Sequence, residues 1–251
     1  MIKISIITVC YNAQNTLERT IESVFSQTYK NIEYIVVDGA STDNTISILQ
    51  KYNDKLKFIS EPDDGLYDAM NKGIGLAEGD YVMFLNADDK FFDNNVVEKF
   101  AKFCEEKQTD LVYGNLAFLN NGNISIQRHK RLNKIYLIKN TPQQPATFYK
   151  KTSFDKAGFF DVQFKIVADQ EWFLRAFLKY HISSFWLDET VTLFSTEGLS
   201  NSAAHEQKHE KERKKMFSMY FGKVEFAFYS FIAKYFRSLT EFPFIKLLFR
   251  I

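Results

Sequence analysis

The sequence is poor in cysteine and has no long apolar run. Only two of its 251 residues are cysteines, Cys10 and Cys104, which are too few for a disulfide framework. Both lie in apolar stretches, as is typical of buried free thiols in a reducing compartment. Because no run of about 18 apolar residues occurs, we do not expect a transmembrane helix. Met1–Cys10 has neither the basic region nor the cleavage site of a signal peptide, so we expect a cytoplasmic protein.

Two signatures of nucleotide-binding proteins are also missing. Neither Gly-x-x-x-x-Gly-Lys-Ser/Thr nor Gly-x-Gly-x-x-Gly occurs, so the sequence supports neither a P-loop nucleotide hydrolase nor a dinucleotide-dependent dehydrogenase. The composition, with 45% hydrophobic and 25% charged residues, is that of an ordinary globular protein. It excludes a disordered chain and provides ample material for a hydrophobic core.

Charge is distributed unevenly along the chain. The formal net charge is only +1, but residues 205–251 carry ten Lys and Arg against five Asp and Glu, while the preceding 204 residues carry 22 against 26. Twelve Phe and Tyr residues lie between Phe217 and Phe249. We therefore predict one α/β domain over residues 1–204, in two halves over 1–90 and 91–204, followed by a basic, aromatic helical tail over 205–251.

Strand and helix signals alternate in the first half of the chain. Short apolar, β-branched runs predict strands covered on both faces, and the amphipathic segments between them predict helices. The alternation predicts a mostly parallel central sheet with flanking helices and right-handed crossovers. The predicted strands are Lys3–Cys10, Glu33–Val37, Lys57–Ser60 and Tyr81–Leu85, and in the second half Leu111–Tyr113, Leu116–Leu119 and Ile124–Gln127. The predicted helices include Thr45–Tyr52, Tyr67–Ala77, Asn95–Glu106 and Gln170–Tyr180.

Acidic and amide side chains follow three of the predicted strands. Tyr11-Asn12 follows the first strand, Asp38 and Asp43 follow the second, and Asn86-Ala87-Asp88-Asp89 follows the fourth. Ligands of open α/β sheets bind beyond the carboxyl ends of the strands, so we expect these residues to converge. Carboxylates gathered in this way repel one another unless a cation joins them, and their hard oxygen atoms favour Mg2+ or Mn2+. The pattern therefore suits a metal-bridged nucleotide diphosphate.

Five segments occur in order along residues 1–200 and carry a resemblance. They are Thr8–Asn12, Thr20–Tyr29, Asp38–Thr45, Glu61–Gly73 and Phe84–Asp89. Together they resemble glycosyltransferase family 2, whose members have the Rossmann-like GT-A fold. The last two segments are similar to a branch that acts in bacterial capsule, exopolysaccharide or lipopolysaccharide synthesis. The resemblance implies an inverting, metal-assisted enzyme that moves a sugar from a nucleotide-diphosphate donor, with UDP the expected nucleotide, to a hydroxyl of a glycan or lipid-linked acceptor.

The resemblance also implies which residues bind the donor in a nucleotide-binding half over 1–90. Asp38 matches the acid that accepts a ring N–H from the base. The other residues that match the nucleotide pocket or the loop beside it are Thr8, Tyr11, Asn12, Ser41 and Asp43. Asp68 and Lys72, one helical turn apart, match a pair near the phosphates and the sugar.

One departure from the family falls at the metal site. Asn86-Ala87-Asp88 stands where the family has an Asp-x-Asp motif, so one negative charge is missing. The resemblance therefore implies Asp88 as the direct ligand of Mn2+ or Mg2+, with Asn86 free to hydrogen-bond the ribose. We expect weaker metal dependence than in relatives with two acids.

The acceptor-binding half over 91–204 contains the expected catalytic base. An acceptor hydroxyl must lose a proton as it attacks, and a well-placed carboxylate accelerates this step by about 10²–10⁴-fold. Asp169 matches the acid that opens the acceptor-side helix of the family, and Glu171 is the alternative. Two neighbouring positions depart from the family: Gln144 replaces a His, and Glu197 replaces the first Gly of a Gly-Gly-Ile-Ser loop that here reads Glu197–Ser200.

Two roles remain open for the aromatic tail. Residues 217–251 either pack against the catalytic domain or a second copy of the chain, or lie in the plane of a membrane with their aromatic rings at the headgroups. The second role fits a polyprenyl-linked acceptor and a peripheral position at the inner face of the plasma membrane. No nucleic-acid recognition motif occurs, so we expect no nucleic-acid partner.

Two other functions stay open at this point. A nucleotidyltransferase also uses acidic strand ends and a metal, but it would need a basic, glycine-rich loop where this chain has Tyr11–Gln14. A catalytically silent member of the same fold, which binds a glycan or a partner enzyme, is the alternative that the departures at Asn86, Gln144 and Glu197 keep open.

Overall fold

The first half of the chain forms the parallel sheet that its strand–helix alternation predicts. A computed structural model describes residues 1–120, 122–195 and 203–235. Its first four strands pair in parallel in the order β3-β2-β1-β4. The elements are β1 (Ile4–Cys10), α1 (Leu17–Phe25), β2 (Ile32–Asp38), α2 (Thr45–Gln50), β3 (Lys57–Ser60), α3 (Leu66–Leu76) and β4 (Tyr81–Phe84).

The second half extends this sheet with strands of mixed direction. The sheet continues from β4 in the order β8-β6-β9-β5, and β7 pairs with β6 at the side. β4–β8, β6–β8, β6–β7 and β5–β9 are antiparallel, whereas β6–β9 is parallel. The remaining elements are β5 (Lys90–Phe91), α4 (Val96–Lys107), β6 (Leu111–Asn120), β7 (Asn123–Gln127), α5 (Lys134–Lys139), β8 (Thr147–Lys150), α6 (Thr152–Ala157), α7 (Ala168–Leu178), β9 (Ser184–Phe194), α8 (Ala203–Tyr220) and α9 (Lys223–Tyr235).

One prediction about these strands is wrong. Leu111–Tyr113 and Leu116–Leu119 are not separate strands but parts of the continuous strand β6. The register against β9 shifts between Tyr113 and Leu116, where Gly114 and Asn115 interrupt the apolar pattern. A Cβ at Gly114 would lie only 2.5 Å from the carbonyl oxygen of Glu189, so the missing side chain lets β9 approach closely. The polar interruption is therefore a bulge rather than a turn.

The sheet separates two hydrophobic layers. All seven residues of β1 are buried, and successive side chains alternate between the layers: Ile7 packs with α3 and α7, while Ile6 packs with α1 and α4. The first layer contains the largest buried side chain, Trp172 of α7. Covering both faces explains why the central strands are continuously apolar.

The helical tail is joined to the first layer. Met216, Phe217 and Phe221 of the α8 region are buried in the same cluster as Trp172. α9 instead exposes apolar side chains, including Phe228 and Phe231. Among the described residues, no helix is both long and apolar enough to cross a membrane. The Glu197–Ser200 loop and the last part of the tail, 236–251, lie outside the described residues, and the proposed boundary at 204 stays a prediction.

Candidate active site

The first four strands end at one edge of the sheet. Cys10 of β1 is the register partner of Asp38 in β2, which in turn is the partner of Ser60 in β3. On the other side of β1, Ile7 is the partner of Phe84, so β4 also ends at this edge. The loops that follow these strands carry most of the residues predicted to bind the donor.

Asp38 is completely buried and held by several donors. Its Oδ2 accepts hydrogen bonds from the Ser41 N–H at 2.9 Å and from the Ser60 hydroxyl at 2.7 Å. The hydroxyl of Ser41 donates to its Oδ1, and the Cys10 thiol lies 3.6 Å from the same oxygen. Burial and the nearby Asp38 carboxylate raise the pKa of the Cys10 thiol, so this cysteine is an unreactive thiol. The network fixes the Asp38 carboxylate in one orientation.

The loops after β1 and β2 are tied together. The backbone N–H of Asn12 donates to the Ser41 hydroxyl at 2.8 Å, and the Asn12 side chain accepts from the Thr42 N–H at 2.9 Å. Asn12 has a φ of 51°, a left-handed conformation that Asn tolerates better than most residues. Asp43 accepts from the Gln14 N–H at 3.1 Å, which makes a further link between the two loops. Sequence reasoning therefore placed these residues together correctly.

Two of the predicted nucleotide-pocket residues occupy opposite environments. Tyr11 is 64% exposed and can stack on a base. Thr8 is fully buried, and its hydroxyl donates to the Leu85 carbonyl oxygen at 2.7 Å. Thr8 therefore has no surface with which to contact a nucleotide, and it instead links β1 to the loop after β4. Ala87 in that loop is 9% exposed.

Asp63 lies beside Gly39 and Tyr11, although the sequence pattern gives it no role of its own. A Cβ at Gly39 would lie 2.5 Å from the Asp63 carboxylate and 3.5 Å from the Tyr11 ring. Gly39 thus leaves the space in which the side chains of Asp63 and Tyr11 approach the backbone after Asp38. Asp63 belongs to the Glu61–Gly73 segment that carries the family resemblance. That resemblance is the signal in the sequence that points to Asp63.

Asp68 and Lys72 form the ion pair that their spacing predicts. The Lys72 ammonium lies 3.4 Å from the Asp68 carboxylate and 2.9 Å from that of Glu61. It also donates to the Pro62 carbonyl oxygen at 2.8 Å. The hydrogen bond from Lys72 to Glu61, together with the Asp68 charge, raises the pKa of the lysine. Asp68 lies in the first turn of α3 and Lys72 one turn later, and Lys72 reaches back to the loop before the helix through Glu61 and Pro62.

The two acids of the loop after β4, Asp88 and Asp89, lie in different environments. Asp89 is completely buried and accepts from the Asn86 amide at 3.0 Å and from the Ser195 N–H at 2.9 Å. Burial raises its pKa to about 7. Asp88 is half-buried, and burial also raises its pKa. Among the residues that the structure describes, no other side chain hydrogen-bonds to the Asp88 carboxylate, so it is the acid available to a ligand.

A small pocket lies beside Asp88. Its volume is about 130 Å³, and it is lined by Arg19, Asp88, Lys90, Leu119, Leu193, Phe194 and Ser195. The Arg19 guanidinium donates to the Asp88 carbonyl oxygen at 2.8 Å. Sequence reasoning missed the two cations of this pocket, because neither belongs to a segment with a recognisable acidic pattern. They can attract phosphate oxygens toward Asp88.

The donor atoms of this site fit a metal ion that is shared with a substrate. No cluster of three or more His, Cys, Asp or Glu able to hold a metal ion occurs in the described part of the chain. Within residues 1–120, 122–195 and 203–235, no side chain hydrogen-bonds to the Asp88 carboxylate, and Arg19 and Lys90 line the same pocket. Mg2+ is commonly bound by one or two carboxylates together with water and substrate phosphates. Asp88 therefore suits Mn2+ or Mg2+ that arrives with a diphosphate.

Asp169 lies in the first turn of α7 and contacts α3. The Tyr67 hydroxyl lies 2.8 Å from Oδ1 of Asp169 and 3.0 Å from the Ile166 carbonyl oxygen. Burial raises the pKa of Asp169, and the hydrogen bond from Tyr67 opposes that shift. Because Tyr67 and Asp68 are neighbours in α3, this helix joins the predicted base to the predicted sugar-binding pair.

The alternative base is already engaged. Glu171 is 2% exposed, and its two carboxylate oxygens accept from the Arg175 guanidinium at 3.0 and 2.9 Å. The Tyr220 hydroxyl of α8 donates to the same carboxylate. A proton acceptor needs a free lone pair that faces the substrate, so this geometry favours Asp169 over Glu171.

Comparison with known protein families agrees with the fold. A sequence profile described as "Glycosyl transferase family 2" matches residues 5–169. A "PGL/p-HBAD biosynthesis glycosyltransferase" from Mycobacterium bovis (strain BCG / Pasteur 1173P2) is 29% identical over 204 residues, which are 79% of each chain. An "Uncharacterized glycosyltransferase" from Mycobacterium tuberculosis (strain ATCC 25618 / H37Rv) is 34% identical over 183 residues, 70% of this chain and 69% of the relative.

Two solved structures share the fold at low sequence identity. S. aureus TarS 1–349 in complex with UDP-GlcNAc has a TM-score of 0.67 and 19% identity over 87% of this chain and 71% of that one. The mannosyltransferase PcManGT from Pyrobaculum calidifontis, in complex with GDP-Man and Mn2+, has a TM-score of 0.66 and 17% identity over 88% of this chain and 65% of that one. The expected mixed α/β, GT-A-like fold is thereby confirmed.

Proposed function

Because this chain belongs to glycosyltransferase family 2, we propose that it is an inverting glycosyltransferase with a UDP-linked sugar as its donor. The observation that carries the proposal is the common edge at which Asp38, Asp43 and Asp88 follow parallel strands beside a pocket with two cations. We propose that Asp38 accepts a ring N–H from the base once the Ser41 or Ser60 hydroxyl turns away from it, since Asp38 has no exposed surface in this structure. Tyr11, Asn12, Ser41 and Asp63 lie around it.

The reaction is a single displacement at the anomeric carbon of the donor sugar. The bond from this carbon to the phosphate oxygen breaks, and its electron pair leaves with the diphosphate. A bond to the acceptor oxygen forms, and the hydroxyl proton passes to the carboxylate of Asp169. Arg19 and Lys90 stabilise negative charge on the leaving diphosphate. Mn2+ or Mg2+ held by Asp88 would act as a Lewis acid on the same oxygens.

The acceptor that we propose is a hydroxyl of a growing glycan or of a polyprenyl-linked intermediate in bacterial surface polysaccharide synthesis. One bacterial relative supports this class, since it is named for PGL/p-HBAD biosynthesis. Asp68 and Lys72 are proposed to contact the donor sugar, and Asn86 the ribose.

The test uses purified protein and a panel of UDP- and GDP-sugars. One UDP-sugar should stabilise the protein in thermal shift when Mn2+ is present, since ligand at 100 times its dissociation constant adds about 2.7 kcal/mol. Asp88→Ala and Asp169→Asn should each lose most of the transfer activity, whereas Asp54→Asn, a change in an exposed loop, should retain it. If both site variants keep the full rate, the assignment is overturned. If calorimetry detects no nucleotide binding, the chain is a catalytically silent member of the family.

We further propose that the tail contacts a membrane surface. α9 exposes Val224, Phe228 and Phe231, at 85%, 48% and 53% of their surfaces. A groove of about 710 Å³ opens between α5 and α8–α9. Its lining includes one acid, Glu210, but is mostly apolar and basic: Ile138, Lys139, Arg213, Lys214, Phe217, Phe221, Lys223 and Phe226. Aromatic residues beside cations suit the boundary of an anionic leaflet. This position would bring the site to a lipid-linked acceptor at the inner face of the plasma membrane.

Vesicle co-sedimentation tests the membrane proposal. The full chain should sediment with phosphatidylglycerol vesicles and less with phosphatidylcholine vesicles. Phe228→Ser with Phe231→Ser should weaken this binding, whereas Ile124→Ser, which changes an exposed apolar residue of β7, should not. Equal binding of all proteins contradicts the proposal. A dimer in light scattering that these Phe substitutions dissolve would show that α9 instead meets a second copy of the chain.

A further inference from the structure

The tail helix α8 reaches the segment that carries the proposed base. The carboxylate of Glu212 accepts three backbone hydrogen bonds, from the N–H groups of Lys165 at 3.2 Å, Ile166 at 2.9 Å and Val167 at 3.3 Å. These three residues directly precede α7. Val167 is the N-cap residue of that helix and makes no side-chain capping bond. A carboxylate from another helix therefore takes the place of a local cap.

The segment held in this way also contacts the partner of the base. Ile166 donates its N–H to Glu212, and its carbonyl oxygen lies 3.0 Å from the Tyr67 hydroxyl. The same hydroxyl lies 2.8 Å from Asp169 Oδ1. A series of hydrogen bonds therefore runs from the Glu212 carboxylate through the Ile166 backbone and the Tyr67 hydroxyl to the Asp169 carboxylate. All four residues are buried or half-buried.

A hydroxyl has one hydrogen, and Tyr67 faces two acceptors. While Asp169 is ionised, Tyr67 stabilises the carboxylate by donating to it. When Asp169 has taken the proton of the acceptor hydroxyl, the Tyr67 hydrogen can turn to the Ile166 carbonyl oxygen, and the Tyr67 oxygen can accept from the protonated carboxyl. This exchange needs the Ile166 carbonyl at a fixed place. Glu212 provides that, because it accepts from the Val167 N–H of the peptide that contains this carbonyl and from the Ile166 N–H of the peptide before it.

We infer that Glu212 is a positioning residue for the base, so that α8 is part of the catalytic unit rather than a separate tail. The inference rests on the proposed function, since it assumes that Asp169 accepts the proton. A second contact supports it, because the Tyr220 hydroxyl of the same helix donates to Glu171 in α7. α8 therefore fastens α7 near its beginning and again one turn later.

The groups that face Asp169 come from two elements besides its own. Tyr67 of α3 donates to it, and Tyr149 of β8 lies near enough for the Asp169 charge to add to the burial that raises the pKa of Tyr149. Tyr149 packs against α7 through Trp172 and Phe173, at ring-centre distances of 5.3 and 6.0 Å. No lysine or arginine hydrogen-bonds to Asp169 in the described part of the chain. The pKa of Asp169 is therefore set by burial, which raises it, and by the hydrogen of Tyr67 and the backbone N–H groups of Asp169 and Gln170, which lower it.

The experiment measures kcat, KM for the donor and the pH dependence of kcat in four proteins: wild type, Glu212→Ala, Tyr67→Phe and the double variant. Small displacements of catalytic groups can cost on the order of 100-fold in rate, so Glu212→Ala should lower kcat by about 10- to 100-fold while donor KM changes little. Tyr67→Phe removes the hydrogen bond that lowers the pKa of Asp169, so the acidic limb of kcat should move to higher pH. If Glu212 acts through Tyr67, the double variant should be no slower than the worse single variant.

Two comparisons separate positioning from simple destabilisation. Glu206→Gln changes an exposed acid earlier on α8 and should leave kcat and the pH profile unchanged. Glu212→Gln keeps one oxygen acceptor and should recover part of the lost kcat. If Glu212→Ala lowers only the unfolding temperature, or if its loss multiplies with that of Tyr67→Phe, the inference is overturned. If Asp169→Asn retains wild-type kcat, the proposed function fails instead, whatever the Glu212 variants do.

Discussion

The side-chain amide of Asn86 donates a 3.0 Å hydrogen bond to Oδ2 of Asp89, a residue with no exposed surface. The other oxygen of Asp89 accepts from the Ser195 N–H at 2.9 Å. Neutral donors therefore hold this acid, and burial raises its pKa to about 7. Asn86 thus supports a buried carboxyl group as well as occupying the first position of the proposed metal motif.

Replacing Asn86 by Asp should make stability depend on a divalent metal. Asn86→Asp places a second carboxylate within hydrogen-bond distance of Asp89, so the two acids repel each other when both are ionised. At pH 8 with EDTA, we expect the free energy of unfolding to fall by about 1–3 kcal/mol. Mn2+ should restore most of this loss, because a cation offsets the added charge. Thermal unfolding with Mn2+ or EDTA measures both effects.

A matched variant separates charge from the lost amide. Asn86→Ala also removes the hydrogen bond to Asp89 but adds no charge, so Mn2+ should not stabilise it more than the wild type. If Mn2+ raises the unfolding temperature of Asn86→Asp no more than that of Asn86→Ala, the first position of the motif does not face the metal.

The central sheet was predictable because its strands are buried on both faces. β1 and β2 are continuous apolar runs, and their burial explains that pattern directly. β9 gave no such signal, since its eleven residues include Asp188 and Glu189 and most of them are only partly buried. Its place in the sheet depends on pairing with β6, about 70 residues earlier, as in the register Val112 with Phe185. Such long-range pairing leaves little trace in local periodicity.

The candidate site was predictable where its residues follow a strand. Asp38, Asn12 and Asp88 stand next to buried strands, so their convergence followed from the strand directions. The sequence does not reveal the contact of Tyr67 with Asp169, because an aromatic side chain in an amphipathic helix is typical of a core position. Glu212 lies in a helix with many charged residues, and nothing in the sequence distinguishes it from the other acids of that helix. Only the folded contacts distinguish such residues.

Gly39→Ala should weaken nucleotide binding more than it affects folding. A Cβ at this position would lie 2.5 Å from the Asp63 carboxylate, a flexible group that can move away. The displaced carboxylate would occupy part of the cleft beside Tyr11. We expect the dissociation constant for UDP to rise about tenfold, which corresponds to roughly 1.4 kcal/mol, with little change in unfolding temperature. Calorimetry with UDP provides the measurement.

The double variant shows whether Asp63 transmits this effect. In an Asp63→Ala background, Gly39→Ala should cause no further loss of UDP affinity, because the carboxylate that it displaces is gone. A tenfold loss that persists in this background would mean that the new methyl group itself obstructs the nucleotide.

Two glycines of α3 should respond in opposite ways to the same substitution. A Cβ at Gly73 would lie 2.5 Å from Cγ2 of Ile7, inside the layer between α3 and the sheet, whereas one at Gly75 would meet nothing within 4 Å. Gly73→Ala should therefore destabilise the protein by about 1–3 kcal/mol through overpacking. Gly75→Ala should stabilise it by about 0.5–1 kcal/mol, because alanine favours the helix. Denaturant unfolding of both variants tests the packing of α3, and two equal effects would contradict it.

Glu33, at the sheet edge opposite the candidate site, should make stability depend on acid pH. Burial works to raise its pKa, but hydrogen bonds from Ser5 at 2.6 Å, from the Glu78 N–H at 2.7 Å and from Lys57 at 2.9 Å prevail and lower it to about 2. The folded state therefore binds the Glu33 proton less readily than the unfolded chain, whose ordinary value is 4.5. The stabilisation is fully present above pH 4.5 and is lost as the pH falls toward 2.

Glu33→Gln should consequently lower the free energy of unfolding by about 2 kcal/mol at pH 7, the amount typical of hydrogen bonds to a charged group. The difference from wild type should shrink as the pH is lowered from 5 to 3, because the wild-type protein alone loses the contribution of the ionised carboxylate. Glu78→Gln is the matched control, since its 64% exposed side chain contacts the same two lysines, Lys3 and Lys57, at the surface. Exposed ion pairs contribute about 0–1 kcal/mol, so this variant should stay close to wild type. Urea unfolding of wild type, Glu33→Gln and Glu78→Gln between pH 3 and pH 7 measures these free energies. If the free-energy difference between Glu33→Gln and wild type does not change with pH, the effect comes from packing and not from the ionised carboxylate.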